Sequence, residues 1–270
     1  MIILGLGGLL NDAAACVVKD GKLVAAVEQR KIVRLPQAGE VPDEAISECL
    51  RISKASAGDV QVVALARPIP QDSGARIHLE IRARFPKARL EVFDHHRSHA
   101  ASAYFASGYS KATVVTLDRF GDFRCGARWT ASGDTLETAD ALHYPDSIGE
   151  IYGRVTEWFG FNPGSDEHKI QWMSSAGSDK YVKVFARVLR DSSYLEATRQ
   201  GDGGFAPRFY EEFGLEPGEA PPKNLRADIA RGLQRAMEDF VVEFAGKGKN
   251  LCLAGGLFFN AFLVAALERS

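Results

Sequence analysis

Short apolar runs separated by turn residues dominate the start of the chain and predict three consecutive strands, at 2–7, 13–20 and 22–29. Asp20-Gly21 joins the last two, and it predicts a tight hairpin because both central positions of a type I′ turn need a positive φ. Helical and strand patterns then alternate, so the predicted order is βββαβαβα. These later segments are 43–56 (helix), 60–66 (strand), 74–85 (helix), 88–94 (strand) and 95–107 (helix).

A comparable order begins again at Ala112. The predicted strands of this second unit are 114–118, 124–131, 135–144 and 250–256. Its predicted helices are 147–161, 225–245 and a last one from Phe258. A stretch rich in glycine, proline and charge separates the first helix from the second, and it predicts an insertion on the surface near 175–224.

This order of elements resembles the actin, sugar kinase and Hsp70 group (ASKHA). Proteins of that group are α/β proteins with duplicated ribonuclease-H-like lobes around a cleft, and the comparison is an analogy at the level of the fold. It predicts a first lobe over 1–111 and a second over 112–270. The second lobe is expected to lack its last strand and helix.

Composition is that of a globular protein, with 46% hydrophobic and 25% charged residues among 270. The net charge of −2 gives no global basic field, so no nucleic-acid partner and no membrane surface are expected. No apolar stretch approaches the roughly 18 residues that a membrane-spanning helix needs. The four cysteines are scattered and include no CxxC pair, which is typical of reduced thiols. Since thiols stay reduced in the cytoplasm, this is the expected location.

Two histidines in FDHHRSHAASAYF (93–105) are candidate metal ligands. His95 and His99 are four residues apart on a predicted helix, so their imidazoles lie on one face and can share a divalent ion, whereas His96 points elsewhere. The same spacing also occurs in ordinary surface histidines, so spacing alone leaves both interpretations open. The pair directly follows a predicted strand, where ligands gather in open α/β folds.

Glycines and a carboxylate at other strand ends are further candidates. Asp118 ends a predicted strand, where it can reach a metal or cap a turn, and Gly121 lets backbone N–H groups approach an anion. Gly255-Gly256 joins a strand to a helix, which allows close approach of a nucleotide or marks a tight turn without a ligand. Gly7 lies in a weak phosphate-loop candidate that lacks both GxxxxGK[ST] and a complete GxGxxG.

Taken together, these segments resemble the O-carbamoyltransferases of the nodulation-protein and antibiotic-tailoring type. The N-terminal domain of that family is similar to the universal tRNA threonylcarbamoyladenosine enzyme. The matching stretches follow the family order over nearly the whole chain. They are ILGLGGLLNDAAACVVKDGKLVAAVEQRKIVR, HHRSHAASAYFAS, TLDRFGD, YPDSIGEIYGRVTEWFGFNPGSDEHK and CLAGGLFFN.

The resemblance implies a two-step reaction. A second type of domain, in cis or in trans, makes carbamoyl-adenylate from ATP and carbamoyl phosphate. The ASKHA domain then transfers the carbamoyl group to a hydroxyl of a sugar or other secondary-metabolite substrate. The implied cofactor is Fe2+ or Zn2+, held by the residues matching His95, His99 and Asp118 and acting as a Lewis acid.

The resemblance also assigns the remaining site residues. Gly255, Gly256 and Asn260 match the nucleotide-binding segment. Glu167 and Lys169 match a Glu-x-Lys at the cleft, where a lysine would stabilise the charge of departing AMP. A solvated charge run is the alternative interpretation of that segment.

Three positions depart from the family pattern. Asn11-Asp12 stands where the family usually has His-Asp, and Asn11 can hydrogen-bond an acceptor hydroxyl but cannot take its proton. Arg119 replaces a glycine after Asp118, and Trp172 brings an indole where a glycine gives room. The interpretation of the chain as a degenerate, non-catalytic partner subunit that binds nucleotide or metal therefore stays open. A kinase or ATPase of the same superfold is a weaker alternative. For the oligomeric state, a homodimer is possible and stays open.

Overall fold

The structure is a computed structural model that describes residues 1–34, 38–68, 74–196 and 204–270. The chain divides into two compact units, Met1–Ser98 and His99–Ser270. The boundary predicted from the order of elements lies after residue 111. The division instead falls inside the helix that carries both candidate histidines.

The described part of the first unit contains five strands, β1 (Ile2–Gly7), β2 (Ala14–Lys19), β3 (Lys22–Glu28), β4 (Val62–Ala66) and β5 (Arg89–Phe93). They form one sheet in the order β3-β2-β1-β4-β5. The first three pair antiparallel, while β1, β4 and β5 run parallel. The hairpin at Asp20-Gly21 forms as predicted, because both residues have positive φ, at 51° and 78°.

Helices α1 (Asp43–Ser53) and α2 (Gly74–Arg84) belong to the first unit, and α3 (His95–Ser107) spans the boundary. Strand residues that alternate along the chain supply one side of the core, among them Leu4, Leu6 and Val17. The helices bury residues on one face, including Ile46 of α1 and Ile77 of α2. The predicted elements of this unit are therefore present, with ends that differ from the prediction by no more than three residues.

In the second unit the described strands are β6 (Lys111–Gly121), β7 (Arg124–Ser132), β8 (Thr135–His143) and β9 (Leu251–Ala254). Their order is β8-β7-β6-β9, with β6 and β9 parallel and the other pairs antiparallel. This repeats the β3-β2-β1-β4 arrangement of the first sheet. The duplicated topology agrees with the α/β fold that the order of elements predicted.

The helices described in the second unit are α4 (Ile148–Trp158), α5 (Glu167–Ser174), α6 (Val182–Val188), α7 (Pro207–Glu211), α8 (Lys223–Ala245) and α9 (Ala261–Arg269). Residues Ile229, Leu233, Met237 and Val241 of α8 recur every four residues and are fully buried. Nowhere in the described ranges is there a helix long and apolar enough to cross a membrane.

The segment near 175–224 is more than the surface insertion that its polar composition predicted. Residues 197–203 lie outside the described part of the chain, but the residues around them form short helices with buried aromatic side chains. Phe205 stacks on Phe209 with ring centroids 3.6 Å apart, and Phe209 also contacts Phe213 and Trp158. This corrects the surface position, because the glycines and prolines separate short amphipathic helices whose apolar faces complete the core of the second unit.

All four cysteines are free thiols, and Cys49, Cys125 and Cys252 are buried. Burial raises the pKa of Cys49 and of Cys125 to about 11. Because the thiolate is the reactive form, we expect both to resist a thiol reagent in the native protein near neutral pH and to react after unfolding. Counting the thiols that react with Ellman's reagent, with and without guanidinium, checks this. Rapid native labelling of Cys49 or Cys125 would contradict it.

Candidate metal centre

The ends of parallel strands bring the candidate residues of the second unit together. Strands β6 and β9 run parallel with Thr116 opposite Ala254, so their carboxyl ends lie at the same edge of the sheet. Asp118 follows Thr116 by two residues, and Gly255-Gly256 directly follows β9. The ligand position expected at strand ends therefore arises from the pairing of β6 with β9.

His95, His99 and Asp118 form a candidate ligand set that could hold a metal ion, since each offers one ligand atom and these atoms all lie within 4.8 Å of one another. All three residues are half-buried. His95 and His99 lie one turn apart on α3, and His99 Nε2 is 3.1 Å from Asp118 Oδ2. The structure thus confirms the shared helical face that the spacing predicted, and His96 is fully buried.

The tautomer of His95 is set by the backbone. Its Nδ1 lies 3.1 Å from the carbonyl oxygen of Arg67, which directly follows β4. A carbonyl oxygen accepts only, so Nδ1 is the donor in this contact, and Nε2 is the ring atom that a neutral imidazole would offer to a metal. This is the arrangement by which hydrogen bonds orient histidine ligands.

The chemistry of the donor set fits the implied metal. Two imidazoles and one carboxylate suit Zn2+ and also match the ligand triad of non-haem Fe2+ sites. Three protein ligands leave coordination positions for a substrate or water, which is typical of catalytic rather than structural sites. The residues therefore fit Fe2+ or Zn2+.

Asp118 is held by the turn that follows β9. Its Oδ1 accepts hydrogen bonds from the backbone N–H of Gly256 at 3.2 Å and of Arg119 at 3.3 Å, which leaves Oδ2 toward His99. A Cβ at Gly256 would lie 2.9 Å from Asp118 Oδ1. The close approach that Gly255-Gly256 predicted is thus made, in this structure, to the carboxylate of Asp118.

A buried ion-pair network lies beside Asp118. Glu150 on α4 accepts from Arg119 Nε at 2.6 Å and from Arg154 Nε at 2.9 Å. Burial alone would raise the pKa of Glu150, but the hydrogen bonds and charges of the two arginines outweigh it and hold the pKa below its ordinary value. Glu150 is therefore ionised and fixes both guanidinium groups.

Asn260 caps a helix. Its Oδ1 accepts from the backbone N–H groups of Phe262 and Leu263 at the start of α9, at 3.1 and 3.3 Å. Its Nδ2 donates to Oε1 of the fully buried Gln234 at 2.8 Å. Both ends of the amide are engaged within the protein, which gives Asn260 a structural role beside the nucleotide-binding role that the resemblance implies.

Glu167 and Lys169 lie at the start of α5, where each has a local partner. Glu167 accepts from the backbone N–H of Gly164, and Lys169 Nζ lies 2.9 Å from Asp166. These contacts agree with the solvated charge run that the sequence left open. The indole of Trp172, on the same helix, is largely exposed.

Asn11, Asp12 and Gly7 lie in or beside the turn between β1 and β2. The N–H of Asn11 donates to the carbonyl of Gly8 at 3.0 Å, and Asp12 pairs with Arg30 at 2.8 Å. Both candidate catalytic residues are exposed. Gly7 pairs with Ala14 in the sheet, whereas Gly8 has the positive φ of 70° that the turn requires.

Gly121 lies at the end of the β6–β7 hairpin. It is buried and pairs with Arg124, so that Asp122 and Phe123 form the turn. The positive φ, 53°, belongs to Asp122. The structure therefore gives Gly121 a place in a tight hairpin, while its predicted role toward an anion stays a prediction.

Sequence reasoning missed Arg67, Glu150, Arg154 and Gln234. One signal was present, since Ser147-x-x-Glu150 has the pattern of a capping box, and Ser147 Oγ does accept from the Glu150 N–H at 3.1 Å. The Glu150 side chain, however, turns to the two arginines instead of to the helix start. No local pattern marks Arg67, because the contact with His95 is made by its backbone carbonyl group, which every residue type carries.

Fold and ligand set together define an ASKHA-type protein with a candidate metal centre. The family model described as Carbamoyltransferase N-terminus matches residues 74–270. Because this match covers more than half of the chain, the protein belongs to the carbamoyltransferase family, which confirms the resemblance.

Two curated relatives align with nearly the whole of this chain. Nodulation protein NolNO of Sinorhizobium fredii is 25% identical and aligns with 97% of this chain and 42% of its own length. An uncharacterized protein of Synechocystis is 27% identical and aligns with 99% of this chain and 52% of its own length. The chain thus spans about half the length of these curated relatives.

The solved structure of component A of (R)-2-hydroxyglutaryl-CoA dehydratase from Acidaminococcus fermentans supports the fold. It matches with a TM-score of 0.57 at 16% identity, over 100% of this chain and 88% of that chain. At this identity the likeness concerns the fold alone, and it agrees with the predicted ASKHA class.

Proposed function

We propose that this chain is the transferase domain of an O-carbamoyltransferase, which moves a carbamoyl group from carbamoyl-adenylate to a hydroxyl of a sugar or other small molecule. The observation that carries the proposal is the ligand set of His95, His99 and Asp118 in a chain of this family. In this reaction the acceptor oxygen bonds to the carbamoyl carbon, the bond from that carbon to the phosphate oxygen breaks, and AMP leaves.

A bound Fe2+ or Zn2+ would supply a Lewis acid for the carbamoyl group. The chain's own residues prepare this centre before substrate arrives. The Arg67 carbonyl orients the imidazole of His95, and the N–H groups of Arg119 and Gly256 orient the carboxylate of Asp118. Ligands fixed in this way lose little entropy when they bind a metal.

The acceptor hydroxyl must lose a proton when it attacks. Asn11 can orient that hydroxyl by a hydrogen bond, and the neighbouring carboxylate of Asp12 is the group in this segment that can take the proton. Lys169 can stabilise departing AMP only if it leaves its ion pair with Asp166. Asn11 in place of a base also favours the second candidate function, a non-catalytic partner subunit that binds nucleotide or metal.

Carbamoyl-adenylate has to come from another domain. Since the chain spans about half the length of its relatives, we propose an adenylate-forming partner, in cis or in trans, that uses ATP and carbamoyl phosphate. A cytoplasmic location and a homodimer stay predictions, as does the absence of nucleic-acid and membrane partners.

Metal content and AMP release test the proposal together. We expect anaerobically purified protein to hold about one equivalent of iron or zinc, and His99→Ala to lose about nine tenths of it because one of three ligands is gone. Elemental mass spectrometry measures the metal. Release of AMP from synthetic carbamoyl-adenylate, with a panel of sugar hydroxyl acceptors, measures transfer.

His143→Ala is the matched control, because His143 is an exposed histidine at the end of β8 and outside the ligand set. It should keep both metal and transfer. Metal bound without any acceptor-dependent release of AMP would favour the partner subunit. Absence of metal from the unaltered protein would count against the proposed centre.

A further inference from the structure

One face of the first sheet is only half-buried. Along β1, β2 and β4, buried residues alternate with half-buried ones. The buried residues, such as Leu4 and Val63, belong to one core cluster with Ile46 of α1 and Ile77 of α2. Successive side chains of a strand point to opposite sides of the sheet, so the half-buried residues form the face turned away from these two helices.

Strand pairing makes this half-buried face continuous. Residues directly opposite each other on paired strands lie on the same face, and here they form two rows without a charged side chain. Across β2, β1 and β4, the first row is Val18, Ile3 and Val62, and the second row is Cys16, Gly5 and Ala64. The second row continues to the exposed Ala26 of β3, which lies opposite Cys16. A Cβ at Gly5 would lie 2.6 Å from Cys16 Sγ, so the glycine leaves the space that the thiol occupies.

The second sheet shows how an equivalent surface is covered. Its order β8-β7-β6-β9 repeats β3-β2-β1-β4, so β7, β6 and β9 correspond to β2, β1 and β4. Val114 of β6 lies opposite Trp129 of β7 and Cys252 of β9, and these three residues correspond to the first row of the half-buried face. They are at most 6% exposed and share a core cluster with Ala100 and Tyr104 of α3. In the second unit, a helix therefore covers this surface.

The first sheet differs in this one respect. Within the part of the chain that the structure describes, no residue of its two rows belongs to a core cluster. Strands β1 and β4 run parallel at the centre of the sheet, and parallel strands are normally covered by helices on both faces. Apolar side chains on central strands, half-exposed in one unit and covered in its repeat, mark a surface that receives a partner.

We infer that this half-buried face is the docking surface for an α-helix of the polypeptide that supplies the adenylate-forming domain. Because the two sheets repeat one topology, the occupant that fits is a helix with short apolar side chains, as α3 has at Ala100. The chain spans about half the length of its curated relatives, which carry further sequence that can provide this helix. The inference rests on the proposed function in naming this partner.

Co-production of two polypeptides tests the docking surface. The probes are the parts of the Synechocystis relative and of NolNO that lie outside their alignments with this chain, each produced in the same cells as the tagged full chain. We expect at least one probe to copurify in equimolar amount. Ala64→Glu and Ala26→Glu should each reduce the copurified fraction about 10-fold or more, because the docked helix would bury an unpaired carboxylate.

Ala83→Glu is the matched control, since Ala83 is an exposed alanine on α2, which packs on the opposite face of the sheet. It should leave copurification unchanged. If Ala64→Glu fails to fold, Ala26→Glu carries the test, because Ala26 is exposed in the chain alone.

The thiol of Cys16 gives an independent readout, because it lies within the half-buried face and is the least buried of the four. Alkylation with iodoacetamide under mildly alkaline conditions, followed by mass spectrometry, should label Cys16 in the chain alone and about 10-fold more slowly in the complex. Cys252 lies in the row that α3 covers, so it should resist labelling in both.

Failure of both probes to copurify would overturn the inference, as would a complex that the folded glutamate variants leave intact. A dimer of the chain alone in which Cys16 is protected would assign the face to a second copy and overturn it as well. Any of these results, obtained with a protein that holds its metal and releases AMP to acceptors, leaves the proposed function standing. Failure of the proposed function is distinct, since it shows as absence of metal or transfer in the unaltered chain.

Discussion

Replacing Glu150 with alanine should lower the free energy of unfolding by about 3–5 kcal/mol, the cost typical of removing one partner from a buried ion pair. The variant leaves Arg154 buried with carbonyl partners but without a counter-charge, and it releases Arg119. Desolvation of an unpaired guanidinium, rather than the lost contact itself, accounts for most of this cost. Urea unfolding followed by tryptophan fluorescence measures it.

Glu243→Ala is the control for this prediction. Glu243 pairs with Arg190 at the surface and its side chain is 73% exposed, so its removal should cost less than about 1 kcal/mol. Replacing Glu150 and Arg154 together with leucine and methionine should recover much of the loss, because no buried charge then remains. Equal costs for Glu150→Ala and Glu243→Ala would refute the buried network.

The same network makes the stability of the folded protein depend on pH. The pKa of Glu150 lies below its ordinary value of 4.5, so its ionised form is favoured by folding. Its contribution to stability is therefore fully present above that ordinary value and is lost as the pH falls through the lowered pKa of the folded state. The stability of Glu150→Gln should accordingly fall less steeply in this acidic range than that of the unaltered protein.

Replacing Gly255 with alanine should cost about 2–6 kcal/mol, as the sum of backbone strain and overpacking. The residue has a φ of 104°, and its Cβ would lie 2.2 Å from the carbonyl oxygen of Leu117. Neither the added methyl group nor the carbonyl oxygen of Leu117 can move without separating β9 from β6. The free energy of unfolding from urea denaturation checks this.

Substitutions at two other glycines separate the effect of backbone strain from that of the steric contact. Gly21 also has a positive φ but has no atom within 4 Å of its Cβ position, so Gly21→Ala should cost only the backbone term, about 1 kcal/mol. The Cβ of Gly256→Ala would meet the tip of the Asp118 side chain, which can move. That variant should therefore lose metal affinity about 10-fold with little loss of stability. A similar cost at Gly21 and Gly255 would exclude the steric contact.

Local periodicity predicted much of the fold, and contiguous motifs indicated the family. Alternating and four-residue repeats predicted the nine described strands and six of the nine described α-helices, all but α5, α6 and α7, because a side chain's face depends only on the geometry of its own element. For the same reason the spacing of His95 and His99 placed both imidazoles on one face of α3. The motifs that resemble the carbamoyltransferases could also be found in the sequence, because each of them is contiguous along the chain.

The tertiary structure alone decided which distant groups meet. Asp118 and Gly256 are 138 residues apart, and their hydrogen bond exists because β6 and β9 pair in parallel with one particular register. Composition near 175–224 could not show that its aromatic side chains complete a core, nor could SIGEIYGR show that Glu150 turns to Arg119. Such partners depend on strand pairing and helix packing, which a one-dimensional pattern does not encode. The sequence therefore specified the elements and the candidate ligands, and the packing of the strands decided which of them form a site.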